Sequence, residues 1–413
     1  NQAESAFADW YEIERFDDPA TPDTSEFTYR GWAGVPNLPE LRKVGRREGE
    51  THGAIEGTLY PAVRAHVFNV TRRWLDPNGD GDPSDGVDGF RLDVAEMVPL
   101  GFWRDYRTFV RSINPEAYLV GEVWWEVWPD RMYDPAPWLQ GDVFDAVMNY
   151  RWFAPTRSFF IGAPPGYEPD AYLAALDAIE AGIPTDHVKA QMNLTASHDT
   201  PRIGTSLYNP GRYKFNVGVA GNPDYRLGRP DDRTRRLQRL VLAQQFTWIG
   251  APHVWYGDEV GMWGPDDPDP RKPMVWPDVA YEDEASDPLG RRRRPDPVGQ
   301  DLELRDTYRR LIVLRKANLE LFVDGDVRVL LADPEGAVLA YERVLGEGAD
   351  ARRAVVLFNR SESEAARELP LVDGTYAVAY AAGSWSLPET VTVSGGSLVV
   401  ALPPLSAGIW IRE

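Results

Sequence analysis

The sequence contains no cysteine, no long apolar run and a deficit of positive charge. The absence of cysteine excludes disulfide bonds and thiolate metal sites. No apolar run reaches the roughly 18 residues that a membrane-spanning helix needs. The formal net charge of −20 would repel nucleic acids and anionic membranes, so we expect neither as a partner. These absences favour a soluble protein that binds a neutral ligand.

Aromatic residues, in contrast, are plentiful. The 413 residues include 15 Trp, 18 Tyr and 15 Phe, and 43% of the chain is hydrophobic, which is enough for a large core. The length predicts two or more domains. The chain opens "NQAESAFADWYEIERF" without a Met or a targeting segment, so we expect the natural start to lie upstream. The sequence therefore leaves the compartment open among cytoplasm, periplasm and secretion.

Short apolar runs that end in polar residues alternate with helical patterns after about residue 60. These runs are "VDGFRLDV", "AYLVGE", "DVFDAVMNY", "AQMNLTASHD" and "PHVWYGDEVG". Runs of this kind, separated by helices, predict an α/β fold with a parallel sheet buried on both faces. Polar residues at the carboxyl ends of successive strands are typical of a (β/α)₈ TIM barrel, whose active site lies there. We therefore predict a barrel domain over residues 1–321.

The pattern changes after about Leu321. Short alternating runs such as "DVRVLLAD", "AVLAYERV" and "RAVVLFNRS" are separated by Gly, Asp and Pro turns. This alternation predicts a separate antiparallel all-β domain, a β-sandwich, over residues 322–413.

One apolar run, Val87 to Val94, carries two charged side chains. Arg91 and Asp93 are two residues apart, so in a strand they project to the same side. A guanidinium beside an aspartate favours the ionised carboxylate. An ionised, oriented carboxylate is the nucleophile that a retaining glycosidase requires, so we expect this role for Asp93.

Further acidic residues close two other apolar runs. Glu122 ends "AYLVGE", and its apolar neighbours should raise its pKa and keep it protonated as a general acid. His198 and Asp199 end "AQMNLTASHD" and could hold sugar hydroxyls. A single Asp or Glu at the end of a strand is more often a cap or a salt-bridge partner than a catalytic group. Their order on successive predicted strands favours a retaining glycoside hydrolase.

The motifs around these residues resemble those of a known family. "DGFRLDVAEM", "LVGEVWWE" and "NLTASHDTPR" are similar to the second, third and fourth conserved regions of the α-amylase family, glycoside hydrolase family 13. "PWLQGDVFDAVMNY" and "GAPHVWYGDEVGMWGPDDPDPRKPMVW" resemble its neopullulanase, cyclomaltodextrinase and maltogenic amylase subgroup. The resemblance implies hydrolysis of α-1,4-glucosidic bonds in cyclodextrins, pullulan or malto-oligosaccharides, with transglycosylation as an option, and no cofactor for the chemistry.

The resemblance also implies roles for individual residues. Asp93 matches the nucleophile, Glu122 the acid/base and Asp199 the transition-state stabiliser, while Arg91 and His198 match the substrate-binding pair beside them.

Three more positions are implied in sugar binding. Asp267 and Arg271 match a pair that binds the glycone side in relatives. Trp124 could stack on a sugar at the leaving-group side, or simply pack at the mouth of the barrel.

Two departures from the family pattern leave alternatives open. The first three barrel strands and the first conserved region are expected to lie outside this chain: they are on another fragment, or they are absent, or the chain is not active alone. The missing N-terminal fragment and a homodimer partner are the candidate protein partners. Relatives often read Val-Ala-Asn-Glu after the nucleophile, whereas here Glu96 follows Ala95. The alternatives are a general starch-degrading α-amylase and a non-catalytic glucan-binding scaffold.

A further motif, "LDPNGDGDPSDG", places oxygen ligands at alternate positions. Asp76, Asn78, Asp80 and Asp82 resemble the start of a calcium loop, with Gly81 at its sixth position. Val87 stands where such a loop has its glutamate. The motif therefore predicts either a structural calcium site or a polar turn before a strand.

Overall fold

The first part of the chain consists of short strands and helices, and the last part consists of longer antiparallel strands. The computed structural model describes residues 3–22, 25–127, 131–162, 166–212, 219–333, 335, 337–385 and 388–413. Within these ranges, no helix combines the length and apolar character that a membrane crossing requires.

The helices are α1 (Pro61–Leu75), α2 (Leu100–Arg111), α3 (Tyr150–Ile161), α4 (Pro169–Glu180), α5 (Thr185–Ala190), α6 (Ile203–Tyr208), α7 (Asp232–Thr247), α8 (Leu302–Ala317) and α9 (Leu319–Asp324). The strands are β1 (Ile13–Arg15), β2 (Thr28–Tyr29), β3 (Lys43–Val44), β4 (Thr58–Leu59), β5 (Gly89–Leu92), β6 (Tyr118–Gly121), β7 (Trp125–Val127), β8 (Arg131–Met132), β9 (Ala146–Asn149), β10 (Met192–Leu194), β11 (Ala251–His253), β12 (Glu284–Ser286), β13 (Arg292–Asp296), β14 (Asp326–Asp333), β15 (Val338–Leu345), β16 (Arg352–Asn359), β17 (Ala365–Pro370), β18 (Gly374–Ala382), β19 (Thr390–Val393), β20 (Ser397–Leu402) and β21 (Ser406–Arg412).

The chain divides into two compact units. The first comprises Asn1–Met148 and Gly182–Gln191, and the second comprises Asn149–Ala181 and Met192–Glu413. The predicted domain boundary between residues 321 and 322 stays a prediction.

The first unit is built on parallel strands. β5 pairs with β6, and β6 pairs with β9, all in parallel. The pairing places Gly89 opposite Tyr118, where a Cβ would collide with the Tyr118 carbonyl oxygen. Helix α2 buries Trp103, Tyr106 and Val110 on one face. The strands and this face form one apolar core.

The second unit contains another parallel pair and two β-sheets near its end. β10 and β11 pair in parallel. Six antiparallel strands follow in the order β14-β15-β16-β21-β18-β19, and β17 pairs with β20. One face of the six-stranded sheet packs in a core that includes helices α7 and α8, and the other packs on the β17–β20 pair. Both faces are therefore covered, which explains why β15 is buried almost throughout.

One local prediction was wrong. The strand predicted from Val87 to Val94 ends at Leu92, so Asp93 lies beyond it rather than within it.

The arginine-rich run Arg291 to Pro295 contributes most of β13, which pairs with β12. Arg293 Nη2 lies 2.6 Å from a carboxylate oxygen of Glu284 in β12, so an ion pair joins the two strands.

Candidate active site

The carboxyl end of β5 presents the predicted nucleophile. Arg91 lies in the strand and forms an ion pair with Asp93, whose side chain is 74% exposed. Val94, the next residue, has a φ of 40°. This left-handed conformation is unusual for a β-branched residue and turns the chain sharply after Asp93. Asp93 is thus an exposed carboxylate held beside a fixed cation.

Glu122 directly follows β6 and is held by backbone and side-chain contacts. Its N–H donates to the Leu92 carbonyl at 2.9 Å, and the Val94 N–H donates to its Oε2 at 3.0 Å. Arg91 Nη2 lies 2.6 Å from its Oε1, and Glu122 is only 6% exposed. Arg91, which the sequence assigned to Asp93, therefore contacts both predicted catalytic carboxylates.

A third carboxyl group, which sequence reasoning did not place in the site, lies in the turn after Asp93. Glu96 is 8% exposed. Burial is the main cause that raises the pKa of Glu96 to about 8, and the negative charges of Glu122 and Asp93 add to the effect. The sequence departs from Val-Ala-Asn-Glu at Glu96, but this departure did not indicate that the side chain would be buried.

The second unit holds the other predicted group of site residues. Asp199 follows β10, and its Oδ2 lies 2.9 Å from His198 Nε2. Arg271 Nη2 lies 3.0 Å from Asp199 Oδ1 and 2.6 Å from Asp267 Oδ1. Arg271 Nε also donates to the His198 carbonyl at 3.0 Å. The structure thus brings His198 and Asp199 together with Asp267 around the guanidinium of Arg271, although the two motifs are far apart in sequence.

A buried ion pair, also missed from sequence, lies in the same unit. Arg202 Nη1 lies 3.0 Å from Asp258 Oδ1, with both side chains at most 1% exposed. Arg202 also donates to the Tyr256 carbonyl at 2.6 Å. Burial raises the pKa of Asp258 to about 6 despite the neighbouring guanidinium. The pair ties the segment that follows Asp199 to the segment that follows β11.

Trp124, the predicted sugar-stacking residue, is buried. Trp124 is 7% exposed and stacks on Trp125 with ring centroids 5.1 Å apart, so its sugar-stacking role stays a prediction.

The proposed calcium loop bonds to its own backbone. Asp76 accepts hydrogen bonds from the N–H groups of Gly79 and Gly81 at 2.8 and 3.1 Å. Asn78, Asp80 and Asp82 each accept a bond from the backbone two residues further on. Among the described residues, no group of three or more acidic or His side chains is arranged to hold a metal ion.

The model of the α-amylase catalytic domain matches residues 57–325, well over half of the sequence. The chain belongs to the α-amylase family. This confirms the resemblance seen in the motifs, and the fold is that of the family's catalytic domain together with an all-β C-terminal sheet.

Similar proteins include a cyclomaltodextrinase of Geobacillus thermopakistaniensis, 30% identical over 414 residues, which covers 100% of this chain and 55% of the relative. Neopullulanase 2 of Thermoactinomyces vulgaris is 31% identical over 361 residues, with 87% and 48% covered. A cyclic α-maltosyl-(1→6)-maltose hydrolase from Arthrobacter globiformis, solved in complex with maltose, superposes with a TM-score of 0.61 at 28% identity, covering 99% of this chain and 69% of that one. The chain spans about half the length of the curated relatives it matches.

Proposed function

We propose that this chain carries catalytic residues of a retaining α-glucan hydrolase that cleaves α-1,4-glucosidic bonds in cyclodextrins, pullulan or malto-oligosaccharides. The observation that carries the proposal is the contact of Arg91 with both Asp93 and Glu122. One guanidinium that bridges two carboxylates keeps them close, and a separation of ~5–5.5 Å is what a retaining glycosidase needs. The names of the relatives support the substrate class.

The first step of the proposed reaction forms a covalent intermediate. Asp93 attacks the anomeric carbon while Glu122, in its protonated form, gives its proton to the leaving glycosidic oxygen. The bond from the anomeric carbon to that oxygen breaks, and an ester bond to Asp93 forms. The exposure of Asp93 gives a sugar access to its carboxylate.

The second step releases the product. Glu122, now ionised, takes a proton from water, and the resulting hydroxide attacks the anomeric carbon and breaks the ester bond to Asp93. Arg91 Nη2 lies 2.6 Å from Glu122 Oε1 and can hold the carboxylate in place during this step. Transglycosylation would follow the same route with a sugar hydroxyl in place of water.

The second unit is proposed to supply sugar-binding groups. His198 and Asp199 offer a donor and an acceptor that can bind neighbouring sugar hydroxyls, and Asp199 is proposed to stabilise the transition state. Asp267 and Arg271 are proposed to bind the glycone side, and Trp124 to stack at the leaving-group side. The ion pairs of Arg271 with Asp199 and Asp267 support the first two assignments by fixing both carboxylates.

Calcium binding by the loop at residues 76–82 also stays a prediction. The oxygen-rich donor set suits calcium, but each of its side chains already accepts a backbone hydrogen bond. The proposed chemistry does not depend on this loop.

Reducing-sugar release from γ-cyclodextrin, pullulan and soluble starch tests the proposal. We expect Asp93→Asn and Glu122→Gln to lower kcat by ~10³-fold or more, because each removes a group that forms or breaks a bond. Asp142→Asn is the matched control, since Asp142 is another exposed carboxylate paired with an arginine, Arg104. Circular dichroism should show all three variants folded.

The pattern of substrates and products separates the alternatives. Fast opening of γ-cyclodextrin with an α-anomeric product supports the proposal, while activity on starch alone supports a general α-amylase. Near-normal turnover by Asp93→Asn, or a β-anomeric product, would contradict the assigned roles. Glucan binding without turnover by the unmodified chain would favour the scaffold alternative.

A further inference from the structure

Glu96 lies in a turn that is fixed on several sides. The turn spans Ala95–Met97, directly after the left-handed Val94. The Ala95 N–H donates to the Glu122 carbonyl at 2.9 Å, and the indole of Trp103 donates to the Ala95 carbonyl at 2.9 Å. These bonds prevent the turn from swinging outward, so the Glu96 side chain stays buried.

The backbone of Glu96 is itself anchored, but its carboxyl group is poorly satisfied. Its carbonyl accepts a hydrogen bond from the Gly53 N–H at 2.6 Å. Within the part of the chain that the structure describes, Glu96 Oε2 is buried and has no hydrogen-bond partner. A buried carboxyl group in this state is more stable with its proton than without it.

The charges around Glu96 also oppose its ionisation. Arg91 is the cation that acts on it, and Arg91 already pairs with Asp93 and Glu122. Both of those carboxylates repel a further negative charge.

Tyr133 is a further titratable group that acts on Glu96. Tyr133 interacts with Glu96 and with Glu126, and burial is the main cause that raises the pKa of Tyr133 to about 12. The Tyr133 hydroxyl contacts His52 Nδ1 at 2.6 Å. A neutral phenol and an imidazole do not replace a guanidinium, so an ionised Glu96 would have to compete for Arg91.

We propose that Glu96 is a positioning residue that holds a proton while Arg91 bridges Asp93 and Glu122, and that loss of this proton at alkaline pH disrupts the bridge and stops glucan hydrolysis. The inference rests on the proposed function and deepens it. The proton on Glu96 takes no part in the bond changes, since Glu96 acts only through Arg91.

The pH profile of kcat tests this positioning role. For the unmodified chain with γ-cyclodextrin we expect kcat to fall about tenfold per pH unit above pH 8 to 9, the slope of a single ionisation. Glu96→Gln cannot ionise, so its alkaline limb should extend by at least about one pH unit, with kcat at pH 7 changed by less than about threefold. Glu126→Gln is the matched control, because Glu126 lies in the same unit and pairs with Arg131 on the surface.

The outcomes are distinct. An alkaline limb shared by Glu96→Gln and the unmodified chain would overturn the inference, as would an equal loss at every pH. If Glu96→Gln fails to fold, Glu96→Asn provides a second neutral variant.

A readout without turnover separates this inference from the proposed function. Carbon-13 NMR of labelled carboxyl groups should show the Asp93 and Glu122 signals shifting when Glu96 titrates between about pH 7 and 9, and no such shift in Glu96→Gln. That result in a chain that hydrolyses no glucan would refute the proposed function and keep the Glu96–Arg91 coupling. Glucan hydrolysis without the NMR shift would refute the coupling alone.

Discussion

The buried pair of Arg202 and Asp258 allows a quantitative prediction. Replacing Asp258 by alanine leaves the Arg202 guanidinium, which is fully buried, with the Tyr256 carbonyl and without its carboxylate. Removing one member of a buried ion pair costs ~3–5 kcal/mol, because the remaining charge is uncompensated and cannot reach water. We therefore expect Asp258→Ala to lower the free energy of unfolding by about this amount.

The pKa of Asp258 indicates that the expected loss of stability does not come from a strongly favourable ion pair with Arg202. The pKa is raised from 3.8 to about 6. A rise of about 2 units corresponds to ~3 kcal/mol that favours the protonated form, so burial outweighs the attraction of Arg202. The predicted cost of Asp258→Ala therefore comes from the charge that is left behind. Asp258→Asn, whose amide oxygen can still accept a bond from Arg202, should cost less than Asp258→Ala.

Equilibrium unfolding in urea at pH 7, followed by tryptophan fluorescence, measures these differences. Asp306→Ala is the control, because Asp306 and Arg309 form a pair of 2.7 Å whose side chains are 48% and 70% exposed. Such surface pairs contribute ~0–1 kcal/mol. If Asp258→Ala cost less than ~1 kcal/mol, or no more than Asp306→Ala, the argument from an uncompensated buried charge would be refuted.

Two further predictions concern backbone packing and pH. Gly89→Ala should destabilise the first unit by ~1–3 kcal/mol in thermal or urea unfolding and lower glucan hydrolysis, because the added Cβ would collide with the backbone of β6. Gly79→Ala is the control, since an added Cβ at that position of positive φ meets no neighbouring atom, and this variant should keep its activity. Burial raises the pKa of Glu180 to about 7. Ionisation of Glu180 is therefore harder in the folded chain than in the unfolded chain, and the folded chain loses up to ~3 kcal/mol of stability as pH rises from about 4.5 through 7. Glu180→Gln keeps an acceptor for the Trp248 indole but cannot ionise, so it should remove this pH dependence. Urea unfolding of both proteins at pH 5 and pH 8 measures the difference. If the stability of Glu180→Gln depended on pH as that of the unmodified chain does, the prediction for Glu180 would be refuted.

The sequence allowed the general organisation to be predicted because periodicity records which faces are buried. The apolar run "AYLVGE", for example, contains β6. Strands β17 and β19 were not recognised, since their apolar positions are few and their burial depends on partner strands distant in sequence.

The candidate site was predictable where a motif concentrates its residues, and not where the geometry depends on folding. Arg91 was expected beside Asp93 because the two are neighbours in sequence, but its contact with Glu122 joins two strands. The burial of Glu96 and the pairing of Arg202 with Asp258 depend likewise on segments far apart along the chain. The pattern of charges in a sequence does not show which acidic side chains are buried.

Val94 places a constraint on how this region can evolve. A non-glycine residue in the left-handed region costs ~1–3 kcal/mol, and the hydrogen bond from its N–H to Glu122 helps to hold it there. A change of the backbone that relieved this strain would also move the N–H that contacts Glu122. Stability and the geometry proposed for catalysis therefore make opposing demands on one turn.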